Sequence, residues 1–326
     1  MQALALTRLA VLALTLAAAA CGGGDDAGTT APPPPSPPPT FPTGQGSATL
    51  LDVATWNVEW FGDAGNGPTN ETLQRQNVAA TIAGLDQDLW ALQEVVDANQ
   101  FAALVNALPG YAGLLANDAQ VQGGAQWYSD FGNREQKLAL VWRTATTALL
   151  GAKVILTAND NAFAGRPPLE ARFRITLPGG TEDVVVIVLH AKAGTTADDH
   201  ARRTTASQAL EAYLRATWPT QKVFVLGDFN DDLDTSIRLG QPSPYANFLA
   251  DPERFGAPTL ALSQAGLRST VGFSDVIDHH LVSNEAMAAY LAGSARAFRA
   301  DDVIPGYATT TTDHFPVLAR YAIGAP

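Results

Sequence analysis

Short apolar runs that end in polar residues recur along this chain. Residues 223–226 read V-F-V-L and lead straight into Gly227, Asp228, Phe229, Asn230 and Asp231. A run apolar at every position predicts a strand buried on both faces. The glycine permits a sharp turn where the strand leaves the core. Asp228 and Asn230 lie two apart, so in extended chain they point the same way. The same form returns elsewhere. Residues 49–57 run on through Val58, Glu59, Trp60 and Phe61, with Asn57 and Glu59 on one face. Residues 88–92 end in Gln93 and Glu94, and 184–189 (V-V-V-I-V-L) deliver His190. Residues 276–282 carry Asp278, and 315–321 are entered from Thr312, Asp313 and His314.

Between these runs the period lengthens to that of helices. Asn70 caps a predicted helix to about Leu85, with Leu73, Val78 and Ile82 inward. Asp97 caps a second through Phe101, Leu104 and Leu108, closed by Pro109-Gly110. A third spans 198–217, with Leu210, Tyr213 and Leu214 inward. Residues 137–142, 149–156 and 171–177 read as further strands. The stretches 117–136 (with Trp127, Tyr128 and Phe131) and 232–259 read as long loops. Alternation of strand and helix predicts an α/β fold. No linker or repeat divides residues 48–326, so one domain is expected.

Composition changes the picture at the N-terminal end. Residues 1–20 carry one charge, Arg8, in a run of Leu, Ala and Val that closes on A-A-A. This reads as a signal peptide, too short to span a bilayer as a helix. Cys21 is the single cysteine of the chain, which excludes an intrachain disulfide. Its place after Ala18-Ala19-Ala20 resembles the lipobox of bacterial lipoproteins, which implies lipidation of Cys21 and a membrane anchor; ordinary secretion is the alternative. Residues 21–47 are Gly- and Pro-rich and read as a tether. Net charge is −12, with 20 Lys and Arg against 32 Asp and Glu. An acidic chain gets no long-range attraction toward nucleic acid.

The chemistry lies at the strand ends. Carboxylate and amide oxygens suit a hard cation such as Mg²⁺, with Mn²⁺ or Ca²⁺ as alternatives. Two imidazoles suit proton transfer near neutral pH. Such a set serves hydrolysis of a phosphate ester, which needs positive charge at phosphorus oxygens, an activated water and a proton for the leaving group. The five histidines lack H-E-x-x-H spacing, and neither G-x-S-x-G nor a G-x-x-x-x-G-K-[ST] loop is present.

W-N-x-E, L-Q-E, L-H-A-K, G-D-F-N, a strand Asp and T-D-H-F-P, in that order, resemble the endonuclease/exonuclease/phosphatase superfamily. The resemblance implies a four-layered sandwich of two packed mixed β-sheets flanked by helices. It makes Glu94 the main metal ligand, with Asn57, Asp313 and Glu59 beside it. By the same likeness His314 is the base that activates water, oriented by Asp278, and His190 meets the phosphate or leaving group. Asp228 and Asn230 hold the phosphate and its oxygens. Arg134, Lys137 and Lys192 are candidates for contact with an anionic substrate, or else solvated surface. The expected protein is an exported, monomeric, Mg²⁺-dependent phosphodiesterase acting on nucleic acid outside the cytoplasm. A lipid phosphodiesterase, a phosphatase and a non-catalytic binding protein on the same scaffold are the alternatives.

Overall fold

The computed structural model describes residues 39–129 and 135–324. Its strands are β1 (Leu51–Phe61), β2 (Leu89–Val95), β3 (Tyr111–Leu115), β4 (Val121–Gln122), β5 (Lys137–Arg143), β6 (Thr147–Val154), β7 (Leu169–Leu177), β8 (Gly180–His190), β9 (Val223–Asp228), β10 (Phe255–Gly256), β11 (Asp278–Ser283), β12 (Arg296–Ala297) and β13 (Val317–Tyr321). One sheet has the order β12-β13-β1-β2-β5-β3, the other β10-β11-β9-β8-β7-β6-β4. Each is mixed and holds a parallel pair with a helical crossover. Helix Glu71–Leu85 joins β1 to β2, and helix Ala197–Thr217 joins β8 to β9.

The period-2 alternation sorts side chains into layers. Val53, Leu89 and Leu140 of the first sheet meet Phe173, Val186 and Leu226 of the second in the central layer. Outside the first sheet Trp56, Leu92 and Val141 pack under Val78 and Ile82. Outside the second, Val185, Ile187 and Val225 pack under Leu210 and Leu214. Helix, sheet, sheet and helix make four layers, so β8 is apolar at consecutive positions because both its faces are covered. Each such Val or Leu contributes about 1.5–3 kcal/mol on burial.

Register then sets the site. His190 of β8 and Asp278 of β11 flank Asp228 of β9 directly, and Asn57 of β1 lies beside Gln93 of β2. All of these sit at one edge of the sandwich. Gly227 is still within β9, and a Cβ there would overlap the Leu189 carbonyl. Its glycine serves close approach of two backbones rather than a turn.

Several local expectations are revised. Helix Glu71–Leu85 turns Gln74, Asn77, Val78, Thr81 and Ile82 inward, while Leu73 is only half-buried. The stretch 117–136 includes β4 and a short helix Gly124–Trp127, and Tyr128 is fully buried with its hydroxyl donating to the Pro167 carbonyl at 2.5 Å. Phe131 lies outside the described residues. The stretch 232–259 includes helix Ala246–Leu249 and β10, pinned by Phe248 against Phe255. The end of the expected tether is packed on the domain. The Phe41 ring meets Phe298, and the Gln45 carbonyl accepts from Arg320 Nη2 at 2.6 Å and Gln87 Nε2 at 3.2 Å.

His279 and His280 follow Asp278 as buried histidines. His280 bridges the two sheets, its Nδ1 3.0 Å from the Tyr321 hydroxyl and its Nε2 3.0 Å from the Val317 carbonyl. Burial pushes His279 down to about 3 and His280 to about 4. The unfolded chain therefore binds more protons below the usual histidine range, and stability falls as pH drops from about 6.5 toward 4. Urea unfolding at pH 7.5 and 5.0 is expected to show a loss on the order of 1–2 kcal/mol from each histidine, with a smaller pH effect in His280→Gln. Equal pH dependence in the variant would contradict this.

Candidate functional site

The backbone leaves regular geometry where the site forms. Glu59, Trp60, Glu94 and Asn230 take positive φ of 42°, 49°, 64° and 51°. Conformations of this kind typically cost about 1–3 kcal/mol and persist where surrounding contacts determine them. The β1–β2 ladder shifts register between Asn57 and Phe61. The freed amides turn to the site's own side chains. Glu59 N donates to Asn57 Oδ1 at 2.9 Å, Trp60 N to Glu94 Oε2 at 3.0 Å, and Asn230 N to Asp228 Oδ1 at 2.8 Å. Extended pairing of Asn57 with Glu59, or of Asp228 with Asn230, is thus replaced by tight bends. Glu59 Oε2 instead accepts from the Asp313 amide at 3.0 Å, and Asn230 Nδ2 donates to the Ala191 carbonyl at 3.1 Å.

At the centre, Asn57 Nδ2 donates to Glu94 Oε1 at 3.0 Å and to Asp228 Oδ2 at 3.1 Å. His190 Nε2 lies 3.6 Å from each of those two oxygens. His314 Nδ1 meets Asp278 Oδ2 at 2.8 Å. Its Nε2 faces Asp228 Oδ2 at 3.9 Å and Asp313 Oδ1 at 3.8 Å. Asp228, Asp278 and His314 present ligand-type atoms within 4.8 Å of one another, all buried. The structure therefore gathers Asn57, Glu59, Glu94, His190, Asp228, Asn230, Asp278, Asp313 and His314 at one place. Support comes from beneath: the Thr312 hydroxyl donates to the Asn57 carbonyl at 2.9 Å and accepts from His314 N at 3.1 Å.

The remaining candidates fall elsewhere. Lys192 is partly exposed and pairs with Asp199 Oδ1 at 2.7 Å. Lys137, taken from sequence as a possible substrate contact, is 1% exposed and donates to the Val96 carbonyl at 2.7 Å. It sits opposite Val95 inside the sheet, where its ammonium serves backbone rather than substrate. Arg134 and Cys21 lie outside the described residues.

Burial and neighbouring charges oppose one another in the site. Burial pushes Asp228 up to about 7 against the opposing pull of His314. Burial, then the charge of Asp313, pushes Glu59 up to about 7. For His314 burial opposes the charged form, but Asp278, Asp228 and Asp313 together outweigh it and hold the imidazole well above its ordinary range. His190 goes the other way: burial, then the Arg166 and His314 charges, keep it neutral. Its Nδ1 and Asp278 Oδ1 are buried without hydrogen-bond partners. A pocket in which burial pushes Asp228 and Glu59 upward, with carboxylate and amide oxygens as donors, fits a hard divalent cation. Glu94, Asn57 and Asp228 have the atoms to hold it.

Arg166 was not singled out from the sequence. Its Nη2 donates to the Ala191 carbonyl at 2.9 Å, its Nη1 to Gln136, and it lies in the field of the Glu94 and Asp228 carboxylates. It comes from an R-P-P loop without periodicity, which carries no signal of where the chain will fold back. Arg203 was also missed. Fully buried, it donates through Nε to Asp231 Oδ2 at 2.8 Å and through Nη1 to the Lys192 and Gly194 carbonyls at 2.7 Å. It thereby joins the loop after His190 to the one after Asp228.

A four-layered sandwich with acids, amides and histidines converging at one edge has the donor set that metal-assisted phosphoester hydrolysis uses. The chain belongs to the Endonuclease/Exonuclease/phosphatase family, whose sequence profile matches residues 54–314. Among solved structures it resembles an endonuclease/exonuclease/phosphatase from Bacteroides vulgatus at 17% identity, covering 83% of this chain and 98% of that one, TM-score 0.59. An AP endonuclease from Archaeoglobus fulgidus matches at 15% identity over 84% and 100%, TM-score 0.55. A mannosyl-6-phosphatase from Bacteroides thetaiotaomicron matches at 16% identity over 82% and 98%, TM-score 0.52. No curated protein sequence matches the chain. At these identities the likeness is one of fold.

Proposed function

We propose that this protein is a Mg²⁺-dependent phosphodiesterase, in the first place a nuclease, exported and anchored through Cys21. The observation that carries the reading is the His314–Asp278 pair at 2.8 Å, its free Nε2 turned toward Asp228 and faced across the pocket by His190. Asp278 accepts from Nδ1, so Nε2 is the nitrogen left to take a proton from water. Glu94, Asn57 and Asp228, with Glu59 and Asp313 near the rim, would hold the ion. When bound, it supplies positive charge to the phosphate oxygens and offsets part of the carboxylate field that keeps His314 protonated. His190, held neutral, donates a hydrogen bond to a phosphate or leaving oxygen. Asn230 spends one Nδ2 hydrogen on the Ala191 carbonyl and keeps the other to donate to the same oxygen. Arg166 adds a fixed positive charge at the base of the pocket. Attack by water needs no covalent enzyme intermediate.

The fold's relatives include proteins called an endonuclease and a phosphatase, so the fold does not choose the substrate. A nucleic acid is put first because a structure of similar fold, D. rerio TDP2 at 13% identity and TM-score 0.58, is complexed with a single-strand DNA product. The purified protein, given plasmid DNA, RNA, sphingomyelin vesicles and a sugar phosphate with Mg²⁺, is expected to cut nucleic acid. Turnover confined to sphingomyelin or to the sugar phosphate would replace the nuclease reading with the lipid or the phosphatase one.

A further inference from the structure

The bend at Glu59 and Trp60 takes carbonyls out of the sheet ladder, and buried carbonyls need donors. Helix Glu71–Leu85 provides them from the face where an apolar residue was expected. Gln74, 0% exposed, directs Nε2 to the carbonyls of Val58 at 2.9 Å, Glu59 at 2.8 Å and Thr311 at 3.1 Å. Its Oε1 accepts from Gly62 N at 3.4 Å. One turn on, Asn77 Nδ2 reaches Thr311 Oγ1 at 3.0 Å and the Thr310 carbonyl at 3.3 Å. Val58 and Glu59 belong to the turn that follows Asn57, whereas Thr310 and Thr311 lead through Thr312 into Asp313 and His314.

We infer that Gln74 and Asn77 are positioning residues, an amide clamp that sets the separation between the acidic turn at 57–60 and the loop that carries His314. Neither touches the pocket centre. Gln74 acts through three backbone carbonyls, Asn77 through the Thr310 carbonyl and the Thr310 and Thr311 hydroxyls. A single amide bound to both segments couples them, so a shift of one moves the other. The inference rests on the phosphodiesterase reading for its kinetic consequence, but not for its structural one. Displacements on the order of 1 Å remote from the chemistry cost about 10²-fold in rate.

Gln74→Met keeps length and volume but removes the donors; Thr81→Val, buried on the same helix face and bonded only to the Asn77 carbonyl, is the control. Gln74→Met is expected to lower kcat per folded molecule about 10- to 100-fold with KM within about threefold. It is also expected to speed amide exchange at Asp313 and His314, whereas Thr81→Val changes neither. Wild-type kcat with wild-type exchange in Gln74→Met overturns the clamp. If the wild type turns over no phosphoester, the exchange comparison alone decides: faster exchange in Gln74→Met keeps the clamp and discards the activity, and unchanged exchange discards the clamp as well.

Discussion

Replacing His314 with alanine is expected to lower kcat by about 10²- to 10⁴-fold, the range a positioned general base supplies. The geometry leaves no substitute at that place. His190 approaches from the other side, is held neutral by burial, and has its Nε2 against Glu94 and Asp228. Replacing Asp278 with asparagine removes the charge that does most to hold the proton on His314. The imidazolium then loses stabilisation, so the acid limb of the rate profile moves to lower pH while the plateau falls through lost orientation. A rate profile measured from pH 5 to 9 for both variants separates the effects. An acid limb unmoved in Asp278→Asn would show that another group titrates.

The second large effect concerns Glu94. Its backbone at φ 64° points Oε1 and Oε2 to Asn57 and Trp60, and Glu94→Gln keeps that shape while removing the charge. Chelation of wild-type protein is expected to abolish turnover, and Mg²⁺ to restore it. In Glu94→Gln the Mg²⁺ concentration needed for half-activation is expected to rise at least about 10- to 100-fold, the loss typical of groups that merely support a ligand. Calorimetric titration of Mg²⁺ into both proteins gives the same comparison without a substrate. Equal affinities would remove Glu94 from the ion's ligands.

The strand ends were legible because buried strands are apolar at every position and so show where they stop. Asn57, Glu94, His190 and Asp228 stand where such runs end and Asp278 within one, their roles came from the resemblance, and register places them together. The bends were not legible. Period-2 reasoning assumes extended chain, while Glu59, Glu94 and Asn230 adopt positive φ and turn their side chains by local hydrogen bonding. Gln74 was missed for a related reason. Hydrophobic periodicity places Leu73 inward, but the unsatisfied carbonyls of the bend draw an amide to that face. Lys137 reads as a substrate contact or solvated surface because charged groups usually lie there, and only the packed structure supplies the Val96 carbonyl that lets it be buried. Arg166 has no sequence signal, since its loop returns to the site through tertiary packing.

The most direct test is hydrolysis of bis-p-nitrophenyl phosphate by wild type and His314→Ala, each with Mg²⁺ and with chelator. Turnover by wild type with Mg²⁺ alone, lost in His314→Ala, is the expected result. No turnover by wild type, or the same rate in both proteins, would contradict the assignment of this site as a metal-dependent phosphodiesterase centre.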